Sequence, residues 1–520
     1  MKKRILLSIL ALLVVGAQAY YLINYAPDRS IEQIEETEPT YPVIVTVTDI
    51  ATPTDITATD ISETDTEEEA PVVIPSDADL NQYAVVTVKS AVIRKKADTE
   101  AKVLISAKKG SKVVVLDQKD KWYKVTYKNQ TGWTYGTNIS LERNYYLEAM
   151  AYKRVPMPEK GKILSLEGTA AAHYIDQYSK SYGTTGLTLA VIKDGEVAYH
   201  YEYGFADKGK TRRTTESTKF RIASISKVFT SMMAMKLCEE GKLDLDSDVG
   251  SVLGIRVRNP RYPDSPISTR MLLTHTAGFH DRATIFSGSI TADANDKNAY
   301  YTGKPGTAYH YSNLGLGMAG AVVEKVSGKV LSQYAQEAFF TPMGVDASFD
   351  GRYLKEKSDV ADCLNSARLE LSAAQAVEDK DEKEPGENNV LGAGGLLISA
   401  EDMARVACIL LGNGTYQGNT YLKPETVAAM QTVQRNCSGY KQCIGIRYSD
   451  KILSGRNVYY HPGAAYGIYS VLIYDPTDAS GVVVLSTGAK DMKNSNGVRN
   501  VCLHAAEYVY SDVIERKNEI

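Results

Sequence analysis

The segment from Asp28 to Asp79 limits what this chain can fold into. It holds fifteen Asp and Glu residues against one basic residue, Arg29, and Thr, Pro and Ile fill much of the rest. Self-repulsion and thin hydrophobicity argue against a packed core in such a segment. We therefore expect an extended tether over residues 25–82. The folded domains must come from the remainder of a 520-residue chain whose hydrophobic content of 43% supports a real core.

The N-terminus predicts export. The basic residues Lys2–Arg4 precede an almost purely apolar run, Ile5–Val15, and small residues follow at Ala17–Ala19. This pattern is typical of a secretory signal over residues 1–24. The alternative is an uncleaved anchor, because the run to Ile23 is long enough to cross hydrocarbon at about 1.5 Å per residue. Either alternative predicts an extracytoplasmic protein, secreted and wall-associated or anchored by an N-terminal transmembrane segment.

Residues 83–142 reverse the sign of the charge, with twelve Lys and Arg against four acids from Tyr83 to Leu141. Short β-rich runs, Val113–Leu116 and Trp122–Tyr127, alternate with turn signals such as Lys109-Gly110, which predicts a small barrel or sandwich. Together with Ala91-Val-Ile-Arg94 and Gly132-Trp133, this segment resembles bacterial SH3-like domains, which are often cell-wall targeting modules. The resemblance and the basic surface predict binding to peptidoglycan or another anionic wall polymer. The alternative is a solubilising spacer, and nucleic acid is not an expected partner outside the cell.

Ser224 and Lys227 stand one helical turn apart in the run Phe220–Thr230. Residues i and i+3 share a helix face, so the lysine amine can approach the serine hydroxyl. A serine is a poor nucleophile until a base takes its proton, and an amine held in a partly dry site can be that base. The spacing alone is weak evidence, because Ser106–Lys109 repeats it in a basic stretch that we interpret as solvated surface.

Two further motifs follow in order, Tyr311-Ser-Asn313 and His461-Pro-Gly463. The order S-x-x-K, Y-x-N, H-x-G resembles that of the serine hydrolases related to class C β-lactamases and DD-peptidases. The loop Leu272–Phe279 and the glycine turn that opens Gly392–Arg405 also resemble that family. The resemblance covers roughly residues 163–515, so we assign a hydrolase domain to 163–517 and a connector to 143–162.

Hydrophobic patterning gives the fold class. Alternating runs Leu187–Ile192 and Glu196–Tyr203 flank Lys193-Asp-Gly195, which is a hairpin signal. Another hairpin is predicted around Val471–Tyr474 and Gly481–Ser486, and helices are predicted over 161–182 and 494–517. Strands thus come from both ends and helices from the middle, which predicts an α/β (α+β) sandwich, with a mainly antiparallel sheet and a helical lobe. The family's fold agrees, and the site would lie between sheet and lobe.

The resemblance assigns catalytic roles. Ser224 would attack a carbonyl and form an acyl-enzyme, with Lys227 and Tyr311 sharing the proton; which of the two is the resting base stays open. Asn313 would hydrogen-bond the acyl amide. Backbone N–H groups of Ser224 and Ala464 would stabilise the developing oxyanion.

The third motif departs from the lysine version found in this family. His461 to Ala464 would run along the sheet edge facing Ser224, with Gly463 beside the nucleophile. A neutral histidine attracts a substrate carboxylate less than lysine does, so Arg447 could supply the missing cation from a neighbouring strand. The alternative is that Arg447 is simply exposed at a strand end.

Cysteines and histidines give no sign of a metal or cofactor, because the chain has no C-x-x-C and no histidine cluster. Cys437 and Cys443 flank a short glycine-containing loop and could form a disulfide. Buried thiols are predicted at Cys238, Cys408 and Cys502, and His275 and His280 are interpreted as structural.

The combined expectation is an exported serine hydrolase, a DD-peptidase that acts on peptidoglycan peptides as a carboxypeptidase or an endopeptidase. A class C-like β-lactamase or an esterase would use the same chemistry. A tether and a wall module suit a fixed polymer better than a diffusing drug. A wall-binding protein without catalysis is the alternative of another class, against which the intact Ser224, Lys227 and Tyr311 set argues.

Overall fold

The structure of the protein is a computed structural model. It describes residues 82–119, 121–128, 130–142, 155–281, 289–378, 383–388, 390–490 and 496–515. The predicted leader, almost all of the acidic tether and most of the connector lie outside the described residues. Among the described residues, no helix combines the length and the apolar character needed to cross a bilayer.

The basic segment forms one antiparallel sheet, with strands in the order β3-β2-β6-β5-β4-β1-β7. Its strands are β1 (Gln82–Val86), β2 (Ser90–Arg94), β3 (Val103–Lys108), β4 (Lys112–Lys119), β5 (Trp122–Tyr127), β6 (Gln130–Tyr135) and β7 (Ile139–Glu142). The sheet encloses a small core in which Ala84, Ile93 and Val125 are fully buried. The prediction of a small all-β domain is confirmed, and Trp122–Tyr127 is a strand as predicted.

The hydrolase segment is built on a second sheet, ordered β17-β18-β19-β20-β21-β22-β9-β10-β8, in which the β8–β10 pair is parallel and the other pairs are antiparallel. Its strands are β8 (Leu164–Ser165), β9 (Gly186–Lys193), β10 (Glu196–Gly204), β17 (Arg435–Cys437), β18 (Tyr440–Gln442), β19 (Arg447–Ser449), β20 (Val458–Ala465), β21 (Ile468–Asp475) and β22 (Ser480–Thr487). Asp194 and Gly195 turn the β9–β10 hairpin with φ of 53° and 77°, as the sequence predicted. Short strand pairs complete the fold: β11 (Phe220–Arg221) with β14 (Leu397–Ile398), β12 (Cys363–Asn365) with β13 (Arg368–Leu371), and β15 (Thr415–Tyr416) with β16 (Asn419–Thr420).

Helices cover both faces of this sheet. They are α1 (Ala170–Ser181), α2 (Ser226–Glu239), α3 (Val249–Leu253), α4 (Thr269–Leu273), α5 (Ile290–Asn295), α6 (Asn313–Ser327), α7 (Leu331–Ala335), α8 (Thr341–Met343), α9 (Ala373–Val377), α10 (Leu391–Gly394), α11 (Ala400–Leu411), α12 (Pro424–Gln431) and α13 (Asn500–Val509). Leu189 and Val191 of β9 pack in one core with α1 and α13, whereas Ala190 and Ile192 pack in the other with the helical lobe. Successive strand residues point to opposite faces, so this alternation confirms the sandwich.

Two predicted helices differ in their bounds. The first begins at Ala170 rather than near Gly161, because Thr169 caps it by accepting from the N–H of Ala172 at 3.3 Å. Residues Leu164–Ser165 instead pair with β10. The terminal helix starts at Asn500 and ends in a π-helical turn, Tyr510–Ile514.

The cysteines are free thiols, so the predicted disulfide is not formed. Cys437 stands opposite Tyr440 in the β17–β18 hairpin, whereas the thiol of Cys443 lies 3.4 Å from the carbonyl of Gln431. Cys408 and Cys502 are buried as predicted, but Cys238 is partly exposed.

Candidate active site

Ser224 lies in a single 3-10 turn, Ala223–Ile225, that leads directly into α2. Ala223 has a left-handed φ of 51°, which is unusual for a residue with a Cβ. The buried hydroxyl of Ser226 stabilises the turn, since it donates to the carbonyl of Ala223 at 2.7 Å and accepts from the N–H of Leu396 at 3.1 Å. Ser226 therefore has a structural role.

Three distant parts of the chain meet at the Ser224 hydroxyl. Its oxygen accepts from Lys227 Nζ at 3.0 Å and from the Tyr311 hydroxyl at 2.8 Å. Lys227 is fully buried and donates also to Asn313 Oδ1 at 2.8 Å and to the carbonyl of Ala393 at 2.6 Å. These three acceptors match the three donors of an ammonium group, so the amine is held at the nucleophile in one orientation.

Asp281, which no sequence motif marked, organises this site from the N-terminus of α6. Its carboxylate accepts from the backbone N–H and the side-chain amide of Asn313, at 2.6 and 2.9 Å, and from Ser312 Oγ and the N–H of Leu314. A carboxylate is favoured at a helix N-terminus. Because Asn313 is bound by both Asp281 and Lys227, it orients the lysine here, in addition to the acyl-amide contact predicted for it.

The glycine turn brings a carbonyl to Lys227. A Cβ on Gly320 of α6 would lie 3.2 Å from Gly392 Cα, so only glycines let helix and turn pack backbone to backbone. The Thr230 hydroxyl donates to the carbonyl of Gly392 at 2.8 Å. This close packing places the Ala393 carbonyl against the buried amine.

Strand β20 runs beside the nucleophile turn. A Cβ on Gly463 would lie 2.6 Å from the carbonyl of Ile222 and 3.3 Å from the N–H nitrogen of Ser224. The prediction that His461 to Ala464 run along a sheet edge is only partly correct. Strand β20 is an interior strand that pairs with β19 from Val458 to Tyr460, and only its residues after Tyr460 extend past β19. The exposed Ala464 follows Gly463 there.

His461 is held neutral inside the protein. It is 1% exposed, and its Nδ1 donates to the carbonyl of Pro462 at 2.8 Å. Burial, and then the charges of Arg447 and Lys227, hold the pKa of His461 well below its usual value. Near neutral pH His461 therefore does not supply the positive charge that a lysine would carry at this position of the motif.

His275 supports the catalytic tyrosine candidate. Its Nδ1 accepts from the N–H of Ser312 at 3.1 Å, and its ring packs 4.4 Å from the ring of Tyr311. Burial, followed by the nearby cations, lowers the pKa of His275 well below 6.5. The ring of His280 packs 4.5 Å from that of Tyr301.

Arg447 is a buried cation and not an exposed residue at a strand end. It is 8% exposed, and its guanidinium lies 4.4 Å from the ring centroid of Tyr440 and 5.5 Å from that of Tyr311. Burial alone would lower its pKa, but the oxygens of surrounding tyrosines outweigh that effect and raise it. Within the described part of the chain, its Nε has no hydrogen-bond partner. Lys227 Nζ lies 5.1 Å from the same Tyr311 ring, so two cations flank this tyrosine.

No group of three or more His, Cys, Asp or Glu side chains is placed to hold a metal ion in the part of the chain that the structure describes. The polar groups that converge on Ser224 are thus an amine, a phenol, amides and backbone groups, which is a set suited to nucleophilic acyl transfer.

Comparison with protein families agrees with this geometry. The Beta-lactamase family model matches residues 171–503, and the Bacterial SH3 domain model matches residues 89–140. The chain therefore belongs to the beta-lactamase family of serine hydrolases, which includes penicillin-binding proteins, and carries a bacterial SH3 domain in front of the hydrolase fold.

Particular relatives are distant. Protein flp of Staphylococcus aureus (strain MRSA252) is 27% identical over 183 residues, which is 34% of this chain and 36% of that protein, so the match spans about a third of the relative. The octameric penicillin-binding protein homologue from Pyrococcus abyssi superposes with a TM-score of 0.53 at 24% identity, over 66% of this chain and 76% of that one. EstCE1, a hydrolase with promiscuous acyltransferase activity, gives a TM-score of 0.53 at 21% identity, over 65% and 97%. These structural likenesses establish the fold.

Proposed function

We propose that this chain is an exported serine hydrolase that forms an acyl-enzyme on Ser224 and acts as a DD-peptidase on peptidoglycan peptides. The observation that carries the proposal is the pair of hydrogen bonds to Ser224 Oγ, from Lys227 and from Tyr311. Ser224 Oγ forms a bond to the substrate carbonyl carbon, and the C–N bond to the leaving amine breaks. The serine proton passes through the Lys227–Tyr311 pair to that amine.

The acyl-enzyme is then released by water. Water adds to the ester carbonyl, the bond to Ser224 Oγ breaks, and the serine regains a proton through the same pair. In both steps negative charge develops on the carbonyl oxygen and needs preorganised donors. We assign these donors to the backbone N–H groups of Ser224 and Ala464, because Gly463 brings β20 within van der Waals distance of the nucleophile turn.

The electrostatics favour an anionic substrate. Lys227 and Arg447 flank Tyr311, and the buried Nε of Arg447 has no hydrogen-bond partner among the described residues. A peptide that ends in a free D-alanine carboxylate would supply the missing negative charge. The basic SH3 domain would hold the enzyme at its polymeric substrate, and export would place both at the wall.

Two alternatives use the same nucleophile. A β-lactam also presents a carboxylate and a reactive carbonyl, so a β-lactamase is compatible with the site. An esterase is compatible as well, and in that case Arg447 would be dispensable. The third alternative is a wall-binding protein without catalysis, in which Ser224 would never be acylated.

The alternatives separate in two experiments. Labelling with a fluorescent penicillin should mark the parent chain and fail in Ser224→Ala; absence of both label and ester hydrolysis in the parent would favour the wall-binding protein. Mass spectrometry of wall peptides incubated with the enzyme should show loss of a terminal D-alanine for a carboxypeptidase or loss of a cross-link for an endopeptidase. Unchanged wall peptides together with rapid β-lactam turnover would overturn the DD-peptidase assignment.

A further inference from the structure

The outer face of the SH3 sheet carries aromatic and basic side chains in register. Val125 on β5 is fully buried, and Gly132 and Thr134 on β6 are buried. Because side chains alternate along a strand, the residues between them point outward. Strand pairing sets Trp122 opposite Tyr135.

Neighbouring strands extend this row with cations. Lys119 of β4 stands opposite Trp122, and Arg94 of β2 stands opposite Trp133, which lies two residues before Tyr135 on β6. We define the aromatic-basic face as Arg94, Lys119, Trp122, Trp133 and Tyr135. Lys124 is left out, because Asp117 is its partner in the register.

The rings of this face are accessible and preorganised. Trp122 and Tyr135 pack edge to face, with centroids 5.3 Å apart, and both remain partly exposed, as does Trp133. Neither tryptophan belongs to the core of the domain. Arg94 is held in place by a hydrogen bond from Nη1 to the carbonyl of Ala101 at 2.8 Å.

Charge around the face is strongly positive. Lys119 is exposed, and so are Lys95, Lys96 and Lys102 beyond the Arg94 end. The whole segment from Tyr83 to Leu141 carries twelve basic residues against four acids. A ligand for this face should therefore be anionic and should offer flat, weakly polar surfaces to the rings.

We propose that the aromatic-basic face is the polymer-binding site of the SH3 domain and that its ligand is the acid-bearing glycan of the wall. The C–H faces of sugar rings pack on Trp122, Trp133 and Tyr135, and Lys119 and Arg94 bind carboxylate or phosphate groups. This inference rests on the wall-binding part of the proposed function. Single-stranded nucleic acid also combines stacking with basic grooves, and it is the competing ligand in the test.

The test uses the full chain with Ser224→Ala, so that substrate is not consumed during binding. Cosedimentation with purified peptidoglycan should retain this parent, and muramidase-released glycan fragments should shift its tryptophan emission, because both tryptophans of the chain lie on the face. Lys119→Ala and Trp122→Leu should each weaken binding by about tenfold. Lys109→Ala, an exposed lysine in the β3–β4 turn, is the matched control and should bind like the parent. Unchanged melting temperatures would show that the variants are folded.

The outcomes separate the two claims. If the parent binds walls and the face variants bind as well as Lys109→Ala, the face is not the site, although wall binding stands. If the parent does not bind walls, both claims are overturned. If a single-stranded oligonucleotide displaces wall fragments and gives the larger emission shift, the ligand is nucleic acid and the glycan assignment is wrong.

Discussion

Asp281 binds Asn313 through two hydrogen bonds, from the backbone N–H at 2.6 Å and from the side-chain amide at 2.9 Å. The amide nitrogen is thereby turned toward the carboxylate and the amide oxygen toward Lys227, 2.8 Å away. The position of the buried amine thus depends on a carboxylate that does not touch it. Asp281 is a positioning residue in our proposal, and its loss should slow the reaction of Ser224.

Replacing Asp281 should impair acylation more than substrate binding. We expect Asp281→Ala to lower kcat by about ten- to a hundredfold with a smaller change in KM, because Lys227 loses its orientation. The free energy of unfolding should fall by about 1–2 kcal/mol with the lost helix cap. Steady-state kinetics and urea unfolding measure both. Asp246→Ala removes an exposed ion pair with Arg270 and should change neither by much; equal effects of the two variants would contradict a positioning role.

The hydroxyl of Tyr311 should matter for rate and little for stability. Tyr311→Phe keeps the ring that packs on His275 but removes the hydrogen bond to Ser224, so acylation should slow by about 10²- to 10⁴-fold. Rapid-mixing measurement of penicillin or ester acylation gives the rate. Tyr309→Phe, two residues away, removes a hydroxyl whose contact is with Tyr440 and should acylate within about threefold of the parent. Parent-like acylation by Tyr311→Phe would exclude Tyr311 from proton transfer.

A single methyl group at Gly463 should displace the nucleophile turn. The added Cβ would lie 2.1 Å from Ser470 Oγ and 2.6 Å from the carbonyl of Ile222, and backbone cannot yield as a flexible side chain does. Gly463→Ala should therefore lose most activity and about 1–3 kcal/mol of stability. At Gly303 the nearest atom to an added Cβ is 3.8 Å away, so Gly303→Ala is the control that should remain active.

Arg447 should select for substrates with a free carboxylate. Arg447→Met should lower kcat/KM by about ten- to a hundredfold for a peptide ending in a carboxylate, and by much less for its amide, because one desolvated charge pair is lost. Lys441→Met removes an exposed cation on the adjacent strand β18 and serves as the matched control. An equal loss for acid and amide substrates would assign Arg447 to packing around Tyr311 and not to recognition.

The free energy of unfolding should fall as the pH rises from about 4.5 to 7, because the buried Glu507 ionises. Burial raises the pKa of Glu507 from 4.5 to about 7, so in this window the folded state binds more protons than the unfolded state and stability declines. Glu507→Gln should stabilise the protein at pH 8 by about 1–3 kcal/mol and have little effect at pH 4.5. Chemical denaturation at both pH values tests this. Glu159→Gln, at an exposed site, should show no such pH dependence.

Local signals in the sequence predicted much of the architecture. The Lys193-Asp-Gly195 turn predicted the β9–β10 hairpin because two adjacent positive φ angles suit Asp and Gly. The Ser224–Lys227 contact followed from helix periodicity over one turn. The β5 strand followed from its β-branched and aromatic residues.

Local sequence patterns did not predict the contacts between residues that are distant along the chain. The free Cys437 and Cys443 and the burial of Arg447 depend on how β17, β18 and β19 pack, which spacing along the chain does not encode. The sequence by itself determined the two folded domains, the order of the catalytic motifs and the elements that carry them, because turn and periodicity preferences act over a few neighbouring residues. Only the tertiary structure decided that Asp281 orients Asn313 and that the Ala393 carbonyl binds Lys227. The partners in those bonds are 32 and 166 residues apart, and only the packing of α2, α6 and α10 against one another within the helical lobe brings the Ala393 carbonyl to Lys227 beside Asn313.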